Sequence, residues 1–136
     1  EFFPVFGDGR SGYSSFYWNF VWSPDSKRLC FKGNGPDSEI HVASVAVHNG
    51  PDVQVHYRGD DTIRADLAWV DNNIVAFTRT TGEDKRNQLM TVRTGVQQPA
   101  VGNAPLPLAG QLQNHANRSP AVSRDGRILI YISRSR

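Results

Sequence analysis

The side chains best suited to catalysis or metal binding are few and widely spaced. Zinc sites use several histidines or cysteines, commonly at short fixed spacings. The chain has four histidines and one cysteine, and none has a partner at a zinc-binding spacing: His41, His48, His56, His115 and Cys30. Without a histidine placed to act as a base, a Ser-His-Asp or Cys-His site is not indicated. We therefore predict no catalytic residue, metal site or cofactor, and expect a protein that is not an enzyme.

Three short motifs resemble functional signatures, but each has a simpler explanation. Residues 7–12 have the spacing G-x-G-x-x-G, yet a strand-like run follows instead of the helix that a dinucleotide site requires. Residues 58–60 spell a cell-adhesion tripeptide where we expect a loop between repeats. Residues 117–119 fit an N-glycosylation acceptor, with Pro120 directly after it. We interpret all three as structural.

Arginine is the one charged residue type with an unusual count. The chain has 12 arginines and 3 lysines, and residues 118–136 hold five of the arginines against one acidic residue. Arginine recognises carboxylates through paired hydrogen bonds and is enriched at protein interfaces. We therefore take Arg64, Arg118 and Arg134 as candidate contacts to a protein or peptide partner. An ordinary solvated face is the alternative, and we favour it.

Length, composition and charge limit the class of protein. A chain of 136 residues with 38% hydrophobic residues is large enough for one domain with a packed core. The net charge of +2 is too small for a dedicated nucleic-acid binder, which relies on many phosphate contacts. No apolar run approaches the length that spans a membrane. We expect no nucleic acid partner and no membrane insertion.

The apolar residues form short runs that are rich in β-branched and aromatic types, and no amphipathic helix pattern is present. Glycine, proline, asparagine and aspartate separate the runs, as in chains of hairpins. The predicted strands are residues 16–22, 28–32, 39–47, 53–58, 63–70, 73–79, 88–94 and 128–133, with a weaker strand around 106–109. The sequence thus predicts an all-β fold.

The chain repeats a unit made of a strand ending in a bulky residue, a tight polar turn, and a strand ending in an aromatic residue. The aligned positions are Trp22, Trp69 and Val122 before the turn, and Phe31, Phe77 and Tyr131 after it. Four strands in a period of roughly 40 to 50 residues are typical of a β-propeller blade. We expect Trp22 and Trp69 to pack in the core. For Trp18, a role as a surface on which a base or a sugar stacks is left as an alternative.

The first unit carries a specific resemblance. Residues 20–31 read FVWSPDSKRLCF and resemble the repeat of TolB-like β-propellers, in which a blade reads apolar-Ala-Trp-Ser-Pro-Asp-Gly-Lys-Arg-Ile-Ala-Phe. Residues 39–42 match the later Glu-Ile-Tyr-Val of that repeat, and residues 120–131 match its earlier part. The second unit departs at residues 70–73, and the third has Val122 and Arg124 where Trp and Pro are usual. The resemblance implies a β-propeller of four-stranded antiparallel blades in a periplasmic or other extracytoplasmic location.

The repeat divides the chain into units of approximately residues 16–60, 61–112 and 113–136, with residues 1–15 as a candidate outer strand of a preceding blade. This makes about two and a half to three blades, whereas closed propellers have about four to eight. The chain is therefore expected to be a fragment of a longer propeller, or a piece that closes a ring with copies of itself. We favour the fragment.

The resemblance implies a non-catalytic scaffold that binds protein or peptide partners through loops at one end of the ring. The alternative is the gating propeller portion of a prolyl-oligopeptidase-like serine peptidase, whose catalytic domain would lie outside this chain. A sugar-binding propeller is a third and weaker hypothesis. These readings rest on family analogy, because propellers carry many unrelated functions.

Overall fold

The structure is a computed structural model that describes residues 12–17, 19–47, 52–94 and 105–135. These residues form antiparallel strands joined by turns and contain no helix, so the all-β prediction is confirmed. Over the same ranges, no helix is long and apolar enough to cross a membrane. The strands form three sheets, and the described residues do not form a closed ring.

The first sheet has five strands in four positions. Its strands are β1 (Ser15–Phe16), β2 (Val21–Trp22), β3 (Arg28–Asn34), β4 (Ile40–Ala46) and β5 (Val53–Gly59). Both β1 and β2 pair with β3, at its two ends, so together they act as one interrupted strand. The order across the sheet is then β1 with β2, β3, β4 and β5.

The second and third sheets continue the same up-and-down pattern. The second contains β6 (Ile63–Asp71), β7 (Ile74–Thr81), β8 (Arg86–Arg93) and β9 (Leu106–Pro107). The third contains β10 (Ala116–Val122) and β11 (Leu129–Arg134). The repeat alignment begins the third unit at Pro120, whereas β10 begins four residues earlier, at Ala116. Strand β10 packs on β6, β7 and β8. The three sheets therefore stack in chain order.

The first and third units share the same turn geometry. The Ser23 hydroxyl donates a 2.6 Å hydrogen bond to Asp25 and accepts one of 3.0 Å from the Arg28 amide. Ser123 makes the same two contacts, at 2.6 and 3.0 Å, with Asp125 and the Ile128 amide. Side-chain to backbone bonds of this kind fix a turn locally. The sequence repeat therefore corresponds to a repeated local structure.

The main core lies between the first two sheets. The first sheet contributes Cys30 and Val42, and the second contributes a larger set: Ile63, Leu67, Trp69, Val75, Phe77, Met90 and Val92. The Trp69 indole also donates a 2.9 Å hydrogen bond to the Val21 carbonyl, which satisfies its N–H and links the two sheets. A second cluster, with Phe31, Ala43 and Val45, lies on the opposite face of the first sheet.

The repeat positions differ in burial. Phe31, Phe77 and Trp69 are buried, and Val122 and Tyr131 are half-buried. The expectation that Trp22 packs in the core is wrong, because its side chain is 52% exposed. Trp22 follows Val21, which points into the core between the sheets, so Trp22 lies on the other face of the first sheet. No described sheet packs on that face.

Two exposed apolar surfaces lie at opposite ends of the stack. The aromatic end face consists of Phe16, Phe20 and Trp22 on the first sheet, and the isoleucine end face consists of Ile128, Ile130 and Ile132 at the last strand. The predictions for residues 1–11, Trp18 and His48 lie outside the described residues. Within the proposed outer strand of residues 1–15, Ser15 is described, and it pairs with Asn34 of the first sheet.

Candidate functional site

The first strand of each sheet is irregular at the same level of the stack. We call these the leading strands: β1 with β2, β6, and β10. The first is interrupted between Phe16 and Val21, where Asn19 has a φ of 90°. Strand β6 shifts register between Ile63 and Leu67, and β10 does so between Arg118 and Ala121. Bulges re-aim side chains and are enriched beside functional sites.

Hydrogen bonds between sheets hold these irregular segments together. The Asn19 side-chain amide donates to the Ala65 carbonyl at 3.0 Å, across the first and second sheets. The Asp66 carboxylate accepts a 2.6 Å bond from the Ser119 amide of the third sheet. It also accepts a 2.8 Å bond from the Thr78 hydroxyl on the neighbouring strand. The bulges are thus fixed by partners rather than left loose.

A cleft of about 830 Å³ opens where the three irregular segments meet. Its walls carry three cations and one acid, and we call it the cationic cleft: Tyr17, Asn19, Lys32, Arg64, Ala65, Asp66, Asn87, Arg118 and Ser119. Each sheet contributes one cation: Lys32 comes from the first sheet, Arg64 from the second and Arg118 from the third. The stack therefore brings together charges that are 32 and 54 residues apart in the chain.

Lys32 is the most constrained of the three cations, with only 6% of the residue exposed. Its ammonium donates a 2.5 Å hydrogen bond to the Ile63 carbonyl and lies 3.9 Å from the centre of the Tyr17 ring. Burial lowers the pKa of Lys32, and the nearby Arg64 guanidinium lowers it further, while Asp61 and Asp66 oppose the shift. The direction of this shift reflects chiefly the burial of the ammonium, and Arg64 adds to it.

A groove of about 630 Å³ adjoins the cationic cleft and shares Asn19, Asp66 and Ser119 with it. This adjoining groove runs along the leading strands toward the turns, and its lining is rich in apolar side chains: Phe20, Val21, Trp22, Leu67, Trp69, Pro120 and Val122. The cleft and the groove together form one continuous surface. Its cleft end is charged, and its groove end is mostly apolar.

Two of the three arginines predicted as partner contacts meet in this cleft. Arg64 and Arg118 both line it, whereas Arg134 does not and lies on the exposed face of β11. Sequence reasoning missed Lys32, which looks like an ordinary strand residue beside Phe31. The one available signal was a lysine directly after the apolar residues 29–31 of a predicted strand.

A serine and a histidine do approach each other, although the sequence indicated no such pair. Ser44 Oγ and His56 Nε2 are 2.7 Å apart on neighbouring strands. Both residues are buried, at 0% and 2% exposure, and the Arg28 guanidinium donates to Ser44 Oγ at 2.7 Å. Burial, and to a lesser extent Arg28, lowers the pKa of His56 to about 4. This pair is a closed packing contact without access for a substrate.

A second polar cluster surrounds His41, which is also buried. Its Nδ1 is 2.9 Å from the Tyr13 hydroxyl and its Nε2 is 2.8 Å from Asp37. Asp37, Glu39 and His41 offer ligand atoms within 4.8 Å of one another, so the prediction that no histidine has a partner at a metal-binding spacing is incorrect for carboxylate partners of His41. Arg58 Nε, however, lies 3.1 Å from Asp37 and supplies the positive charge there. The arrangement fits a neutralised polar network better than a metal site.

Four other residues that the sequence analysis singled out lie in packed or turn environments. Cys30 is fully buried, and burial raises the pKa of its thiol to about 12, as expected for a core residue. The Asn117 side chain is buried and donates to the Leu112 carbonyl at 2.8 Å. Asp60 of the adhesion-like tripeptide accepts a 3.0 Å bond from the Thr62 amide within a turn. Gly12 is the one described residue of the glycine motif, with a φ of 74°.

Comparisons of the chain with protein-family models, curated proteins and solved structures found no match. Fold and site thus define the class directly from the molecule: an all-β protein of stacked antiparallel sheets, with a cationic cleft and an apolar groove at its leading strands.

Proposed function

We propose that this chain is a non-catalytic binding module that holds a segment of a protein partner along its leading strands. The observation that carries the proposal is the coincidence of three interruptions of regular pairing, one per sheet, with one continuous cleft and groove. Strained and bulged backbone persists where surrounding structure fixes it, and it concentrates at binding sites.

The dimensions of the surface support a peptide-like ligand. A cleft of about 830 Å³ joined to a groove of about 630 Å³ is larger than a typical small-molecule pocket and follows the strands as an extended chain does. Exposed Trp22 and Phe20 beside the groove are residue types enriched at protein interfaces. The TolB-like resemblance and an extracytoplasmic scaffold role are parts of this proposal.

The alternative, a gating propeller portion of a prolyl-oligopeptidase-like serine peptidase, depends on a catalytic domain outside this chain. No contact among the described residues favours it over the binding module. Binding by this chain alone distinguishes the two hypotheses, because a gate acts only together with its catalytic domain.

The test is a selection of peptides from a random display library on the whole chain, followed by binding to two variants. Ala121 is exposed and lines the groove, so Ala121→Trp fills the groove without disturbing a buried contact. Ala109 is exposed in a turn away from the groove, so Ala109→Trp is the matched control. We expect selected peptides to lose at least about tenfold in affinity for Ala121→Trp and to bind the control unchanged. Peptides that bind both variants equally would refute the proposed surface.

A further inference from the structure

We propose that the cationic cleft recognises a carboxylate, carried by a segment that has an apolar residue next to it. This inference rests on the proposed binding function and names the chemistry that the site selects. It concerns the three cations Lys32, Arg64 and Arg118, which the fold brings to one cleft from three different sheets.

None of the three cations forms an ion pair with a carboxylate in the part of the chain that the structure describes. Among the described residues, no carboxylate lies within 4.0 Å of the side-chain nitrogens of Lys32, Arg64 or Arg118. An ammonium as buried as that of Lys32 is costly unless an anion compensates it. The nearby acid, Asp66, already accepts hydrogen bonds from the Thr78 hydroxyl and the Ser119 amide. A bound anion supplies the missing charge.

The charge balance favours a singly charged anion. Three cations and Asp66 give the cleft a charge of +2, and Asp61 acts on Lys32 from close by, which lowers the local excess further. Arginine forks match a planar carboxylate through two parallel hydrogen bonds. With Asp61 counted, the excess is close to one positive charge, which a carboxylate balances, whereas a phosphate dianion or a nucleic acid brings more negative charge than the site can balance.

The adjoining groove specifies what lies beside the carboxylate. It shares Asn19, Asp66 and Ser119 with the cationic cleft and continues past Phe20 and Trp22. Both aromatic residues belong to the aromatic end face and also line the groove at its edge, and they are 48% and 52% exposed. Burial of their apolar area by a neighbouring residue of the ligand adds binding energy that a free carboxylate ion lacks. The ligand class is thus an acidic segment with an adjacent apolar side chain.

The experiment is a chemical-shift titration of the ¹⁵N-labelled chain with matched short peptides. The first probe is acetyl-Gly-Phe-Glu-Gly-amide, and its neutral partner has Gln in place of Glu. Acetyl-Gly-Gly-Phe with a free carboxyl end tests a C-terminal carboxylate as the alternative source of the same group. Acetyl-Gly-Ala-Glu-Gly-amide tests the apolar neighbour. The amides of Arg64, Ala65, Asn87 and Ser119 report binding in the cleft.

We expect a carboxylate peptide to bind at least about tenfold more tightly than the Gln peptide, and the Phe peptides more tightly than the Ala peptide. Arg64→Gln and Arg118→Gln each weaken the carboxylate peptide by about tenfold. Arg127→Gln, in the exposed β10–β11 turn, is the control and leaves the affinity unchanged.

Each failure has a distinct meaning. Equal binding of the Glu and Gln peptides overturns the carboxylate inference and leaves the binding module in place. Peptides that leave the cleft amides unmoved also overturn it, and the display selection then decides the proposed function independently. Loss of affinity in Arg127→Gln equal to that in Arg64→Gln reduces the effect to general charge attraction and refutes a specific site.

Discussion

One of the two buried histidines of the first sheet, His56, makes the stability of the protein depend on pH. His56 is 2% exposed, and burial first and Arg28 second lower its pKa from 6.5 to about 4. Between these two values the unfolded chain binds a proton that the folded chain does not. The free energy of unfolding therefore falls as the pH drops through this window, and the loss is absent above pH 6.5.

The first prediction concerns the part of the free energy of unfolding that His56 makes dependent on pH. The variant His56→Gln removes it, because glutamine does not titrate. We expect the wild type to lose about 2 to 3 kcal/mol more stability than the variant between pH 7.5 and pH 4.5. Urea unfolding at the two pH values gives the difference. His115→Gln is the control for the loss of a histidine as such. An equal change of the pH slope in both variants would contradict the assignment to His56.

At the scale of elements, turns set the strand boundaries, and the repeated Ser-x-Asp turn shows how. Ser26 in the first unit and Gly126 in the third occupy equivalent positions with φ of 60° and 73°. Glycine adopts this left-handed backbone without the steric cost that a Cβ atom brings. The same turn is thus built with a strained residue in one unit and an unstrained residue in the other.

The second prediction is that Ser26→Gly raises the free energy of unfolding by roughly 0.5 to 1 kcal/mol, and that Gly126→Ser lowers it by a similar amount. Urea unfolding measures both. Ser135→Gly, at an exposed position without positive φ, is the control and gives no gain. If Ser26→Gly destabilised the chain as much as the control, relief of backbone strain would be the wrong explanation.

For the whole molecule, the two exposed end faces are the surfaces most suited to association between copies of the chain. Ile130 and Ile132 are 64% and 53% exposed side by side on β11, and the aromatic end face lies at the other end of the stack. Apolar surface of this kind on a sheet face promotes association. The third prediction is that the average mass rises above 15.1 kDa as the concentration increases.

Light scattering during size exclusion checks this, with the double variant Ile130→Lys and Ile132→Lys. We expect the variant to associate less, because two ammonium groups on the face oppose its burial. The control adds two lysines at exposed polar positions, Gln113→Lys and Ser135→Lys. A wild-type mass that stays at one chain, or variants that associate equally, would contradict the prediction. A discrete dimer would support ring closure by copies.

Local features of the sequence were readable because their causes lie within a few residues. The Ser23–Asp25 turn depends on hydrogen bonds across two to five positions, so composition and spacing reveal it. Alternation along β3 places Cys30 and Phe31 on opposite faces of the first sheet, and both are buried because apolar side chains cover both faces there. Trp22 obeys the same local pattern as Trp69, but its burial depends on whether another sheet covers its face, which no local pattern records.

The sequence by itself determined the strands, the turns, the repeat and the all-β class, since short-range hydrogen bonds and the period of two control them. Only the tertiary structure decided that Lys32, Arg64 and Arg118 share one cleft while Arg134 lies apart. It also decided that Ser44 and His56 meet in a buried pair. These juxtapositions depend on how the sheets stack and where the bulges shift the register, and both arise from contacts between residues that lie far apart in the chain.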